Sequence, residues 1–113
     1  MLTEKDYCDY DTCVALEEFG FPIRRIKVKG KEKYVPILLY EAQKWMREEK
    51  HIDALVYLDD LKGYFPFIKI WEGSWKTFII LEEMEDKKVS YFVNYEEALA
   101  EAVRQAVKIL KEK

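Results

Sequence analysis

The chain holds one histidine, His51, and two serines, Ser74 and Ser90. That scarcity removes the usual nucleophile and base sets. Neither serine stands in a nucleophile-elbow motif, and the four scattered glycines build no phosphate-cradling loop. Only two cysteines occur, Cys8 and Cys13, with no second pair to complete a metal site beside His51. They read as two reduced thiols, with a disulfide as the alternative that would be unusual in a cytoplasmic chain. His51 stands between a helix end and a strand, where a histidine serves the helix dipole or the surface. No apolar run approaches the roughly 20 residues that span a bilayer. The opening Met1-Leu2-Thr3-Glu4-Lys5-Asp6 is polar and acidic, unlike a signal peptide, so a cytoplasmic location is expected. A net charge of −3 gives the whole molecule no general attraction for nucleic acid or anionic lipid. The expectation is a protein with no cofactor, no metal and no membrane partner, and not an enzyme.

What the chain does have is apolar and aromatic surface. Half of its 113 residues are apolar and 15% are aromatic. That length makes one domain, residues 1–113, able to bury about two-thirds of its unfolded surface. Near the end, Tyr95, Ala98, Leu99, Ala102, Val103, Ala106, Val107 and Leu110 recur at helical spacing on one stripe. Alanine is frequent there, so a partner surface can approach closely. Asn94 caps this helix, with Glu97 three residues on.

An earlier helix starts at the cap Asp9, turns Cys13, Leu16 and Phe19 inward and stops at Gly20. Residues 23–37 alternate as a hairpin with its turn near Gly30 to Glu32. Leu39 to Lys50 is a helix with Leu39, Ala42, Trp45 and Met46 on one face, and Ile52 to Leu58 is a strand. Trp45 and Leu99 are expected to be buried against the sheet. Tyr64–Trp71 and Trp75–Glu83 form a second hairpin around Glu72-Gly73-Ser74. Pro66 assigns its first arm to an edge or a bulge. A polar turn and a short strand, Val89–Val93, precede the last helix. The class is α+β: an antiparallel sheet in the order α-β-β-α-β-β-β-β-α, with helices mainly on one face.

The carboxylates are read conservatively. Asp59-Asp60 is turn chemistry after a strand. Glu82, Glu83, Glu85 and Asp86 form a solvated loop balanced by Lys87 and Lys88.

Two features stand out from this background. Residues 24–33 carry Arg24, Arg25, Lys27, Lys29, Lys31 and Lys33 against Glu32 alone. On this hairpin Lys27, Lys29 and Lys33 are expected to share one face, and Arg25, Lys27, Lys29 and Lys33 are candidate phosphate contacts for single-stranded nucleic acid, with Tyr34, Trp71 or Trp75 to stack on bases. The competing reading is an exposed edge whose lysines stop sheets from pairing between molecules, and it is the favoured one. The second hairpin is apolar on both faces. Ile68, Ile70, Ile79 and Leu81 make an aliphatic floor suited to an alanine-rich helix. Phe65, Phe67, Trp71, Phe78 and Ile80 then point away, mixed with Lys69, Lys76 and Glu82, and are the candidate partner-binding residues.

Three segments carry a resemblance. Leu39-Tyr40-Glu41-Ala42-Gln43-Lys44-Trp45-Met46-Arg47-Glu48 resembles an L-x-x-A-x-K-W-L-R-E helix start. Phe92-Val93-Asn94-Tyr95-Glu96-Glu97-Ala98-Leu99 resembles a closing Y-x-T-Y-E-E-A-L segment, and Cys13, Leu16, Gly20 and Phe21 follow an A-x-x-L-x-x-x-G-F helix. Together they are similar to small uncharacterised proteins of gut Bacteroidales and their phages and mobile elements. The resemblance implies an accessory role that binds a host or phage protein, and carries over no functional residues. The function expected is a small protein–protein interaction module, with a homodimer as one form of it.

Overall fold

Local capping chemistry sets the helices. In the computed structural model, which describes residues 4–72, 75–79 and 91–112, a single 3₁₀ turn at Glu4–Asp6 leads to α1, Tyr10–Glu18. The Asp9 carboxylate accepts from the Thr12 backbone N–H at 2.7 Å, satisfying a first-turn donor. Gly20, at φ 106°, ends the helix in a conformation that a side chain disfavours. Helix α2, Leu39–Lys50, starts without a side-chain cap and stops at His51 in the left-handed region. Arg47 and Lys50 lie in its last turn, where the dipole favours cations. Helix α3, Tyr95–Glu112, is capped by Asn94, whose side chain accepts from the Glu97 N–H at 2.9 Å.

Strands β3 (Ile52–Asp59), β4 (Gly63–Glu72) and β5 (Trp75–Ile79) form an antiparallel sheet in that order. The register pairs Ile52 with Ile70, Ala54 with Ile68 and Val56 with Pro66. These residues share one face, and α2 and α3 cover it. Ala98, Leu99, Ala102, Val103, Ala106 and Val107 of α3 are buried, as are Leu39, Ala42 and Met46 of α2. Cys13, Ala15 and Leu16 of α1 complete the core. Ile68 and Ile70 are floor residues, as their β-branched shape predicts.

Four details differ from the sequence reading. First, β4 is central, so Pro66 is not on an edge strand. Tyr64 exchanges two backbone hydrogen bonds with Phe92, on the side of β4 away from β3. Pro66 has the same parity as Tyr64, so its missing N–H removes nothing from the β3–β4 ladder.

Second, β1 (Arg25–Val28) and β2 (Lys31–Tyr34) form a sheet of their own. Their turn is Lys29-Gly30, both at positive φ, one residue earlier than the sequence suggests. All of β1 is exposed, Ile26 at 51%, so no apolar face draws this ribbon into the larger sheet.

Third, Trp45 is only half-buried. It packs edge-on against Phe21 with ring centres 5.4 Å apart, and Lys50 lies over its ring. The chain leaving α1 therefore takes the place beside Trp45 that the sheet was expected to fill. Fourth, Tyr95 lies largely outside the core, whereas Ile109 joins it. The expected Glu82–Lys88 turn lies outside the described residues, and of Val89–Val93 only 91–93 are described, with Phe92 making the bridge to Tyr64.

Candidate interaction surface

At the far end of the β3–β4 hairpin the turn is fixed by one side chain. Asp59 Oδ1 accepts from the backbone N–H groups of Leu61 at 2.9 Å and Lys62 at 3.1 Å. This throws Leu61 outward, 95% exposed. Gly63 follows at φ 112°, and a Cβ there would meet the Phe92 carbonyl oxygen at 2.6 Å. Only glycine allows the two backbones this approach. The Tyr64–Phe92 hydrogen bonds of 2.9 and 2.8 Å then hold residues 91–95 against the sheet.

Aromatic rings fill the junction. Tyr64 meets Tyr95 edge-on with centroids 6.0 Å apart, and Phe65 meets Tyr91 at 5.5 Å. The Lys62 ammonium lies 5.5 Å from the Tyr91 ring centre. Around them Tyr57 (60%), Leu58, Val93 (92%), Tyr91 and Tyr95 are exposed. Most of the exposed large apolar side chains among the described residues therefore gather at this one end. Asp60 and Lys62 flank Leu61, so the patch carries both charge signs.

The residues singled out from sequence fall as follows. Phe65 and Phe67 lie on the sheet face opposite the floor, half-buried, beside Leu55 and Tyr57 in the register. The side chains of Trp71 and Phe78, and all of Ile80, lie outside the described residues.

The basic residues do not assemble into one stripe. Lys27 pairs across the ribbon with Glu32, and Lys33 with Ile26, so Lys27 and Lys33 are on opposite faces. Lys29 occupies the turn, and Arg25 forms ion pairs with Glu17 and Glu32. A one-residue shift of the turn is enough to undo the shared face. The side chains of Tyr34 and Trp75 also lie outside the described residues.

Tyr57, Leu61, Tyr91 and Val93 were not legible as site residues. The one available signal was an isolated leucine in an Asp-Asp-Leu-Lys-Gly turn, where polar residues are the rule. Leu58 and Tyr95 were hidden in periodic patterns that extend past the covered surface, and Tyr57 lies on the opposite face beside Phe65.

His51 is exposed at the end of α2. Among the described residues no three His, Cys, Asp or Glu side chains gather as a metal-holding group, and no helix is long and apolar enough to cross a membrane. Compared with known proteins, the chain matches no family model, no curated protein and no solved structure.

Proposed function

We propose that the protein is a non-enzymatic protein-interaction module that self-associates through the end of its larger sheet. The observation that carries this reading is that Tyr57, Leu58, Leu61, Tyr91, Val93 and Tyr95 are exposed at one end of the sheet, with Tyr57 and Tyr91 on the face of Phe65 and Leu58 and Tyr95 on the face of Tyr64. Exposed apolar residues scattered singly need no explanation, but a set with aromatic members wrapped around one end of a sheet favours a contact surface. The half-buried Phe65 and Phe67 continue it on the sheet face opposite α2 and α3. A second copy is the favoured occupant because the patch is self-complementary in charge. A two-fold contact brings Asp60 of one copy toward Lys62 of the other on either side of Leu61. The resemblance to small phage and mobile-element proteins supports an accessory role in which such a module holds another protein in a complex.

Sedimentation velocity over a micromolar concentration series tests this. The sedimentation coefficient is expected to rise with concentration for the wild type and to stay at the monomer value for a Tyr57→Lys, Leu61→Lys double variant. A wild type that remains monomeric throughout overturns self-association.

A further inference from the structure

Cys8 and Cys13 occupy related positions around the cap of α1. Asp9 is the N-cap, so Cys8 is the residue before it and Cys13 is the fourth helical residue. Side chains at these two positions meet across the first turn, usually as a hydrophobic staple that fixes how the chain enters the helix. Here the staple is made of two thiols. The Cys13 Sγ–H donates to the Cys8 carbonyl oxygen at 3.7 Å, and both cysteines are free and buried. The Cys8 N–H donates to the Ile37 carbonyl at 2.7 Å, which holds the extended partner of the pair in place.

Cys13 is 2% exposed, yet it lines a cavity of about 280 Å³ bounded by Tyr10, Val14, Glu17, Ile23 and Arg25. That volume admits a small molecule. We propose that Cys8 and Cys13 are a redox pair, a thiol staple that a small peroxide closes into a disulfide.

The chemistry balances with hydrogen peroxide as oxidant. The Cys13 thiolate attacks one peroxide oxygen, the O–O bond breaks, and hydroxide leaves and takes up a proton as water. Cys13 is then a sulfenic acid. The Cys8 sulfur attacks the Cys13 sulfur, the S–O bond breaks, and a second water leaves with the Cys8 proton. Two thiols and one peroxide become one disulfide and two waters.

The electrostatics give the two sulfurs different tasks. A hydrogen bond from the Cys8 thiol, helped by the Ile37 backbone and opposed by burial and Asp9, lowers the Cys13 thiol to about 7. The same hydrogen bond, with burial, Asp9 and Glu41 of α2, raises Cys8. Glu17, Arg25 and Tyr10 face Cys13 across the cavity. Cys13, which lines the cavity where Cys8 does not, is therefore the attacking thiolate and Cys8 the resolving thiol.

The test is mass spectrometry of the folded protein treated with hydrogen peroxide. Trypsin cuts after Lys5 and Arg24, so both cysteines fall in one peptide, residues 6–24. That peptide is expected to lose two hydrogens and to resist alkylation until reduced. With Cys8→Ser, dimedone should label Cys13 as a trapped sulfenic acid. With Cys13→Ser, labelling at Cys8 should be at least about tenfold slower, because burial, Asp9 and Glu41, which the variant leaves in place, still raise its thiol and leave little thiolate. The proposal is overturned if both wild-type thiols remain fully alkylatable after peroxide, or if the disulfides formed link separate chains. The wild-type measurement decides the matter even where a variant fails to fold.

Discussion

Replacing Gly63 with alanine probes the joint that holds the apolar patch together. The new Cβ would lie 2.6 Å from the Phe92 carbonyl oxygen, a backbone atom that cannot swing aside. It would also force a side chain onto φ 112°. Residues held in such sparsely populated backbone regions cost about 1–3 kcal/mol. Relieving the overlap moves Phe92 away and breaks the two hydrogen bonds it shares with Tyr64, at about 1 kcal/mol each. Together these give a loss of about 3–5 kcal/mol. With a urea slope of about 1.5–2 kcal/mol/M, the unfolding midpoint should fall by about 2 M. The same variant should lose near-ultraviolet circular dichroism from the Tyr64–Tyr95 pair. Lys62→Ala, one residue away and exposed, serves as control and should shift the midpoint little. A Gly63→Ala midpoint close to wild type would refute the reasoning, because Phe92 would then be free to move at no cost.

Other perturbations follow from the same contacts. Leu99 is buried between α3 and the sheet, and Leu99→Ala should lower stability by about 2–5 kcal/mol in chemical denaturation. Ala102 has no exposed surface, so Ala102→Leu overpacks the stripe and should cost about 1–3 kcal/mol by the same assay. Partial burial pushes the Asp9 carboxyl up, but the Thr12 hydroxyl and N–H and the Arg104 guanidinium outweigh it and hold the group below its ordinary value. The cap therefore contributes stability at pH above the unfolded carboxylate range and loses it as pH falls through that range, below about 4. Urea midpoints measured from pH 6 down to pH 3 should drop more for wild type than for Asp9→Asn; parallel curves would contradict the cap's charge.

Much of the architecture was legible because it depends on short-range chemistry. The stripe from Ala98 to Leu110, the cap at Asp9 and the stop at Gly20 are set by neighbours within a turn or two. The parity of β4 was legible for the same reason: Ile68 and Ile70 share a face whatever the sheet order. What was not legible depends on non-local geometry. Pro66 was assigned to an edge or a bulge because its partners could not be counted from one strand; its tolerance comes from its missing N–H facing away from β3, a parity that the Tyr64–Phe92 bridge shows. The basic hairpin lost its common face because Lys29 accepts a left-handed backbone, moving the turn by one residue. Leu58 and Tyr95 continue their periodic patterns beyond the point where α2 and α3 stop covering the sheet. Surface left uncovered is a property of how elements end against one another, which no single periodicity contains.

Amide hydrogen exchange followed as a function of protein concentration tests the central claim most directly. The account predicts that exchange over residues 57–62 and 91–95 slows as the concentration rises, while the β1–β2 ribbon exchanges at a constant rate. Slowing confined to the ribbon, or no concentration dependence at any position, would contradict it.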